Sequence, residues 1–558
     1  MARRTRHEVR QLRYRSLHGA MKLLPVLILS MPLWAQGQPA EEGIAVRDPL
    51  VIRKCSPCHR QDGKGNLTRI SWVRTTPEGW EMAVKRMVRL NGLDLNPEDA
   101  RAIVKSLAAS HGLAPEEAEP VLYISEHKSI EESFPSESVR EACAACHPIG
   151  QARSWRRSIQ EWDLLVAMHR GYYPVAEDSF HHSDDAIGYF SKNYPLESPE
   201  WTAWQSKTHA PNLAGRWLIS GYQAGRGKII GEMLIEHSAE SSSENDAFNT
   251  SVKLTYVRDG STISRAGRAV VFAGYAWRGR SIAKAGSSAP SASNAGGIPP
   301  ELRETMWLAP DGSEMQGRWF WGDYEEFGYD VTLKRASDAP VLLGLDRIMM
   351  KTGSSAQQIR IFADHLPRLT PADIDFGPGI AVRRVLEQTP QQATVEVDID
   401  AQAVPGRREV MVRGARLPDA IAIYNRIDYI KVLPDSALAR LGGQKYPKGY
   451  QQFEALAYER GAPDIELGPV DSVWSVEEFY SSFGDDDKSF VGTLSPSGFF
   501  TPNVEGPNPK RQFSRNNYGD IWVVATYKRD DGKPLVAKSY LVVAVPLYVR
   551  YDRQEAAP

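Results

Sequence analysis

The sequence predicts a multidomain chain, an N-terminal all-α region followed by three all-β domains of barrel or sandwich type with immunoglobulin-like texture. Three observations predict it. A chain of 558 residues is too long for one hydrophobic core, which sets an expectation of about three to four domains. Apolar residues recur at helical spacing from about residue 44 to about residue 205, and beyond Lys207 short alternating runs broken by glycine and polar turns replace them. Finally, Gly 44 and Pro 37 supply the many turns that a β-rich chain needs.

Composition narrows the class without naming a chemistry. Hydrophobic residues make up 42% and charged residues 24%, the balance of an ordinary globular protein. A formal net charge of -2 offers no basic footprint for nucleic acid.

The first 40 residues carry an address. Arg3, Arg4, Arg6, Arg10, Arg13, Arg15 and Lys22 form a basic leader, an apolar run follows from Leu23 to Leu33, and Ala35 is a small residue suited to a cleavage site. This three-part plan predicts a signal peptide over 1–35, cleaved on export to the periplasm. A spanning helix needs roughly 20 apolar residues. The leader run is shorter and holds Pro25 and Pro32, and no later segment is long enough, so no membrane span is expected.

All four cysteines lie in a repeated pentapeptide, Cys55-Ser56-Pro57-Cys58-His59 and Cys143-Ala144-Ala145-Cys146-His147. C-x-x-C-H is the attachment signature of c-type haem. The two thiols add across the porphyrin vinyl groups, and the adjacent imidazole becomes the proximal iron ligand. Two disulfides would not explain a histidine after each pair. A thioredoxin-like redox site needs a βαβ context that is absent, and a four-cysteine zinc site spaces its pairs about 15–20 residues apart. Here 84 residues separate Cys58 from Cys143. The motifs therefore predict two covalently bound haem c groups, held by Cys55, Cys58, His59, Cys143, Cys146 and His147.

Each haem iron takes a sixth ligand, commonly Met or His from a later helix. The two segments align on the tryptophan after each motif, Trp80 and Trp162, and seven residues further on stand Met87 and His169. Gly92 and Gly171 follow shortly, as where a chain leaves a helix. The expected pairs are His59/Met87 and His147/His169, with Met82 and Met168 as the rivals. Two unequal haems follow, the bis-histidine one at lower potential. His111, His127, His181 and His182 read as surface or loop histidines. Asn96-Pro97-Glu98-Asp99 gives an N-cap, a proline at the first helical position and early acidic residues; Ile103, Val104 and Leu107 keep helical spacing, and Gly112 is a stop signal. A dihaem cytochrome c domain is thus expected over 44–206, in halves 44–115 and 120–206.

The β region divides into a barrel-like domain over 207–338 and β-sandwiches over 339–428 and 429–552. Ser251 to Val257 alternates, and Asp259-Gly260 is a hairpin signal. Ala269 to Phe272 and Trp319 to Trp321 read as further strands, and Ala285 to Pro300 as a flexible surface loop. Thr394 to Asp400 alternates strictly, and Pro405-Gly406 marks a turn before Glu409 to Val412. Ile521 to Ala525 and Leu541 to Val545 close the third block. No catalytic constellation stands out. Gly225-Arg226-Gly227-Lys228 fails the spacing of a phosphate loop and predicts a hairpin turn. Asp485-Asp486-Asp487 lacks the alternating oxygen ligands of a calcium loop and predicts a solvated turn. With only His209, His237 and His365 and no cysteine, the β region offers little for a transition metal and reads as scaffold.

In domain order and size, the chain resembles the alpha subunit of quinohaemoprotein amine dehydrogenase. The likeness runs through Cys143 to His147, Met168-His169-Arg170-Gly171-Tyr172-Tyr173-Pro174, Gly274-Tyr275-Ala276-Trp277-Arg278-Gly279 and Trp319-Phe320-Trp321-Gly322. The resemblance implies a heterotrimer: a gamma subunit bearing a cysteine tryptophylquinone, and a β-propeller beta subunit that helps form the active site. It implies oxidation of a primary amine to aldehyde and ammonia at the quinone, with electrons passing to the haems of this chain. They then leave to a soluble periplasmic acceptor, a cytochrome c or copper protein. No catalytic residue for the amine is expected on this chain. The competing readings are a stand-alone dihaem electron carrier and a dihaem peroxidase-like enzyme.

Overall fold

The computed structural model describes residues 41–125, 133–144, 146–206, 212–238, 247–284, 301–443, 445–479 and 485–546. The predicted signal peptide, His127, Ala145, His209 and the 285–300 loop lie outside the described residues. From Gly43 onward the chain forms one unit.

Ten α-helices occupy the N-terminal region among the described residues: α1 Pro49–Cys55, α2 Pro77–Asn91, α3 Pro97–Ser110, α4 Pro115–Ala118, α5 Leu122–Ser125, α6 Glu137–Ala144, α7 Ile149–Arg153, α8 Ile159–Tyr172, α9 Ser183–Asn193 and α10 Pro199–Gln205. Short polar side chains start the principal ones. Asp48 accepts from the Leu50 N–H at 2.7 Å, Asn96 from the Asp99 N–H at 2.7 Å, and Ser158 from the Glu161 N–H at 3.2 Å. Proline stands in the first turn of α1, α2 and α3, where its missing N–H costs nothing. No helix among the described residues is long and apolar enough to cross a membrane.

Two three-residue strands tie the helical halves together. β1 Val73–Thr75 pairs antiparallel with β2 Trp155–Arg157, setting Arg74 opposite Arg156. Like charges directly opposite on one face repel, and here a carboxylate resolves it. Arg74 donates to both Glu117 carboxylate oxygens at 2.8 and 3.0 Å, and Arg156 Nε donates to Oε1 at 3.0 Å. The Ser198 hydroxyl and the Ala114 N–H complete the carboxylate's shell at 2.8 and 2.9 Å. Burial by itself would raise the Glu117 pKa, but the Arg74 hydrogen bonds and both guanidinium charges bring it down to about 2.

Eight strands then close an up-and-down antiparallel barrel: β3 Gly215–Gln223, β4 Gly227–His237, β5 Ala247–Tyr256, β6 Thr262–Phe272, β7 Ala276–Ala283, β8 Glu301–Leu308, β9 Glu314–Trp321 and β10 Phe327–Arg335, with β10 pairing back to β3. Eight strands leave room for side chains and little else. Trp217, Trp277 and Trp319 are fully buried, and the Phe248 and Trp277 rings stack at 5.8 Å. Glycine permits the tightest approach: a Cβ on Gly231 would sit 2.1 Å from the Lys253 carbonyl oxygen.

The barrel is fused to the helical region through one continuous hydrophobic core. At the joint Arg278 forms an ion pair with buried Glu78, and Tyr275 donates to the Leu113 carbonyl at 3.2 Å. Two four-stranded sheets follow as a sandwich, in strand order 341–345, 357–364, 392–399, 380–389 against 349–351, 415–424, 406–412, 374–375. The run over 392–399 alternates buried and half-buried along its length, as predicted. The last region carries a three-stranded and a four-stranded sheet around a separate core, with a small third sheet beside them. An all-α region followed by three β-rich ones is the fold class that periodicity predicts.

The Gly225 segment is the predicted hairpin turn, between β3 and β4. It docks on the last β region, where Glu454 accepts from the Gly225 N–H at 3.1 Å and from the Tyr222 hydroxyl at 2.5 Å. Asp485-Asp486-Asp487 departs from expectation, since it is no solvated turn. Arg511 donates to Asp486 Oδ1 at 2.8 Å and pairs with the buried Asp487, and Arg515 reaches Asp486 at 2.6 Å. Fixed guanidinium groups occupy the carboxylate oxygens that a cation would need.

Candidate functional site

Both pentapeptides begin on the last residues of a helix. Helix α1 ends at Cys55, and the chain keeps turning, with the His59 N–H donating to the Cys55 carbonyl at 2.9 Å and the Cys58 N–H to the same oxygen at 3.2 Å. Helix α6 carries Cys143 one residue before its end. A helix end of this kind brings two thiols and an imidazole to one side within five residues.

The histidines share a geometry. His59 Nδ1 lies 2.7 Å from the Thr68 carbonyl oxygen, His147 Nδ1 lies 3.0 Å from that of Pro148, and His169 Nδ1 lies 2.8 Å from that of Leu165. A carbonyl oxygen only accepts, so each Nδ1 carries the proton and each Nε2 keeps its lone pair. A backbone carbonyl on one nitrogen, with the other left for metal, is how ligating histidines are oriented.

The sixth-position candidates fall on matching stripes of their helices. At about 100° per residue, Met87 stands on the stripe of Trp80, Ala83 and Val84, which pack into the core. Met82 falls on the far side of α2. On α8, His169 shares the stripe of Trp162 and Leu165, and Met168 is a quarter turn away. Met82, Met87, Met168 and His169 are all half-buried. The His169 ring is flanked by Tyr173 and Phe180, each at 6.2 Å between centroids. Burial lowers its pKa, against the hydrogen bond to the Leu165 carbonyl, which raises it.

Burial raises the Cys55 thiol to about 11, with Cys58 adding to the effect, and burial alone raises Cys143 to about 11. All four cysteines are free of disulfide bonds.

Several sequence expectations need correcting. Gly171 does not end a helix; α8 runs through it to Tyr172, whereas Gly92 does cap α2, with φ 69. His111 is no surface histidine. It is fully buried at the end of α3, its Nε2 lies 3.1 Å from the Ile44 carbonyl, and burial lowers its pKa to about 4. His181 and His182 are exposed, as read. Sequence reasoning missed Arg74, Glu117 and Arg156, because nothing local signals that a three-residue strand pairs with another some 80 residues away. It also missed Arg157, whose guanidinium lies over the Trp155 ring at 4.2 Å and beside Trp162 at 5.6 Å.

These residues fit a covalently held haem. Paired thiols and an imidazole follow each helix end, and the sixth-ligand candidates Met87 and His169 stand on later helices, α2 and α8. Two buried donors, Trp162 Nε1 and Arg157 Nε, have no hydrogen-bond partner among the described residues.

Comparison with known families gives four matches that together cover nearly the whole chain. Residues 45–199 match "Quinohemoprotein amine dehydrogenase A, alpha subunit, haem binding". Residues 210–336, 340–425 and 430–555 match domains II, III and IV of the quinohemoprotein amine dehydrogenase alpha subunit. A comparison with curated proteins gives no match. Among solved structures, a redesigned β barrel (b11L5F_LGL) aligns at 13% identity over 23% of this chain and 96% of its own, with TM-score 0.18. The mouse protocadherin PcdhgC3 EC1-3 aligns at 14% identity over 43% of this chain and 78% of its own, with TM-score 0.16. At those scores neither likeness bears on function.

Proposed function

The chain belongs to the quinohemoprotein amine dehydrogenase alpha subunit family, and from that premise we propose that it is the dihaem electron-transfer subunit of a periplasmic amine dehydrogenase. Cys55, Cys58 and His59 hold one haem c, and Cys143, Cys146 and His147 hold the other. Met87 and His169 supply the sixth ligands. The signal peptide over 1–35 sends the chain to the periplasm, where covalent haem is retained. The chain accepts electrons from a cysteine tryptophylquinone on a gamma subunit, beside a β-propeller beta subunit, and delivers them to a soluble cytochrome c or copper protein. The overall reaction is oxidative deamination of a primary amine to aldehyde and ammonia.

The observation that carries this reading is the repeated arrangement of helix end, C-x-x-C-H and an imidazole whose Nδ1 is tied to a backbone carbonyl. Bound haem supplies a reversible one-electron iron couple. The polypeptide fixes each ring by its Nδ1 bond, shields the Trp80 and Trp162 side of the site from water, and locks the two halves through the Glu117 carboxylate. The β regions from 207–338, 339–428 and 429–552 serve as a scaffold for partners. Arg278 and Tyr275, inside a stretch that carried the family resemblance, join the first of them to the helical region.

The test is anaerobic. The complex is purified through this subunit, oxidised, and titrated with a primary amine while the haem spectrum is recorded. Ferrous haem bands growing in proportion to amine support the reading. Haems that stay oxidised with every amine yet reduce with dithionite overturn it in favour of a stand-alone carrier.

A further inference from the structure

Arg157 is a buried cation with no anion of its own. It is 7% exposed, its Nε has no hydrogen-bond partner, and no carboxylate among the described residues pairs with it. In the β1–β2 ribbon it stands opposite Val73, on the face away from the Glu117 network that neutralises Arg74 and Arg156. Its contacts are the faces of Trp155 and Trp162. The indole N–H of Trp162 is likewise buried and unsatisfied.

Two more arginines gather on it. Burial depresses Arg157 to about 9, and the like charges of Arg86 and Arg69 add to that. Arg86 is half-buried on α2 and has no carboxylate partner among the described residues. Glu161 is the one carboxylate acting on the group, and it is engaged by Arg69 at 2.9 Å. Arg69 is itself exposed and Arg86 half-buried, so the uncompensated charge that is shut away from water is that of Arg157. The ribbon that carries Arg157 joins the two halves, β1 coming from the first and β2 from the second.

Keeping a buried guanidinium without an acceptor is costly unless an anion arrives. At 7% exposure Arg157 offers little surface to a solute, which favours an anion held inside the fold. A haem carries two propionate carboxylates, and a carboxylate is the group a guanidinium fork matches. We propose that Arg157, supported by Arg86, is the counter-charge for a haem propionate at the boundary between the two halves, and that it raises the reduction potential of that haem. This rests on the dihaem reading. The sign follows from Coulomb's law: a fixed positive charge favours the ferrous haem, which carries one positive charge fewer than the ferric haem.

The test uses the intact complex with Arg157→Leu, Arg157→Lys and Arg86→Gln. Haem content and the midpoint potential of each haem are measured. Arg157→Leu is expected to keep both haems and to lower one midpoint by at least a tenfold change in the ferric/ferrous equilibrium, about 59 mV. Arg157→Lys falls between the wild type and Leu, and Arg86→Gln lowers the same midpoint by less. The wave that moves identifies the haem. Should the Leu variant fail to assemble, the Lys and Arg86 variants decide. Two attached haems whose ferric/ferrous equilibria stay within twofold of wild type in every variant that assembles would overturn the proposal, leaving Arg157 a packing residue. Wild-type protein with fewer than two haems would instead sink the dihaem reading, and the proposal with it.

Discussion

The two halves of the helical region are built on one plan and differ where their chemistry is set. Each runs from a helix ending in C-x-x-C-H, through a strand of the shared ribbon, to a helix opened by Thr76 or Ser158 and anchored by a buried tryptophan. In the first half the tryptophan is satisfied: Trp80 Nε1 donates to the His111 carbonyl at 2.9 Å, and Gly92 ends α2. In the second half Trp162 Nε1 and Arg157 Nε are left without partners, α8 runs past Gly171, and seven residues beyond the tryptophan a histidine replaces the methionine. The scaffold is repeated, and on the reading proposed above a single side chain on each helix sets what kind of ligand is presented.

The sharpest way to separate the halves is to remove one attachment site. Cys143→Ala with Cys146→Ala is expected to halve the covalent haem content, read by pyridine haemochrome spectrum and by mass, and to leave the first half loaded. Retention of two haems would show that the second motif attaches none.

Glu117 makes the opposite point, because both halves depend on it. Glu117→Gln leaves Arg74 and Arg156 facing each other without their carboxylate, which costs roughly 3–5 kcal/mol for a broken buried pair. Chemical denaturation should report that loss at neutral pH. A change below about 1 kcal/mol would mean that the bridge is replaceable.

Acid should weaken the first half before the joint. His111 has a folded pKa of about 4, below its ordinary 6.5, so the unfolded chain takes up the proton first. The stability it contributes is complete above about pH 6.5 and is lost as pH falls toward 4, for roughly 3 kcal/mol. Glu117 then adds its own loss as pH falls from about 4.5 to about 2. His111→Asn should flatten the first of these declines in urea midpoints taken from pH 7 to 4.5. An unchanged slope would contradict the assignment.

Much of this was legible in the chain. Four cysteines in two motifs named the cofactor class, and counting seven from each tryptophan picks Met87 and His169, which α2 and α8 do carry on the tryptophan's face because a helix returns to the same face after two turns. Alternation found the strands, as at 392–399. What stayed hidden is non-local. The ribbon has three residues a side and is rich in arginine, so it carries no strand signal, and its pairing joins distant segments. Asp485 to Asp487 looked solvated because Arg511 and Arg515, which neutralise them, come from another loop. His111 looked like a loop residue because its partners are distant in sequence, the Ile44 carbonyl before the first helix and the Trp80 ring on α2.

The most direct test of two unequal haems is a redox titration of the complex, wild type against His169→Met. Two one-electron waves are expected in the wild type. In the variant the lower wave should rise by more than about 59 mV, a tenfold change in its equilibrium, toward the His/Met haem of the first half. A single wild-type wave, or two waves that His169→Met leaves in place, would contradict His169 as the ligand that makes the halves differ.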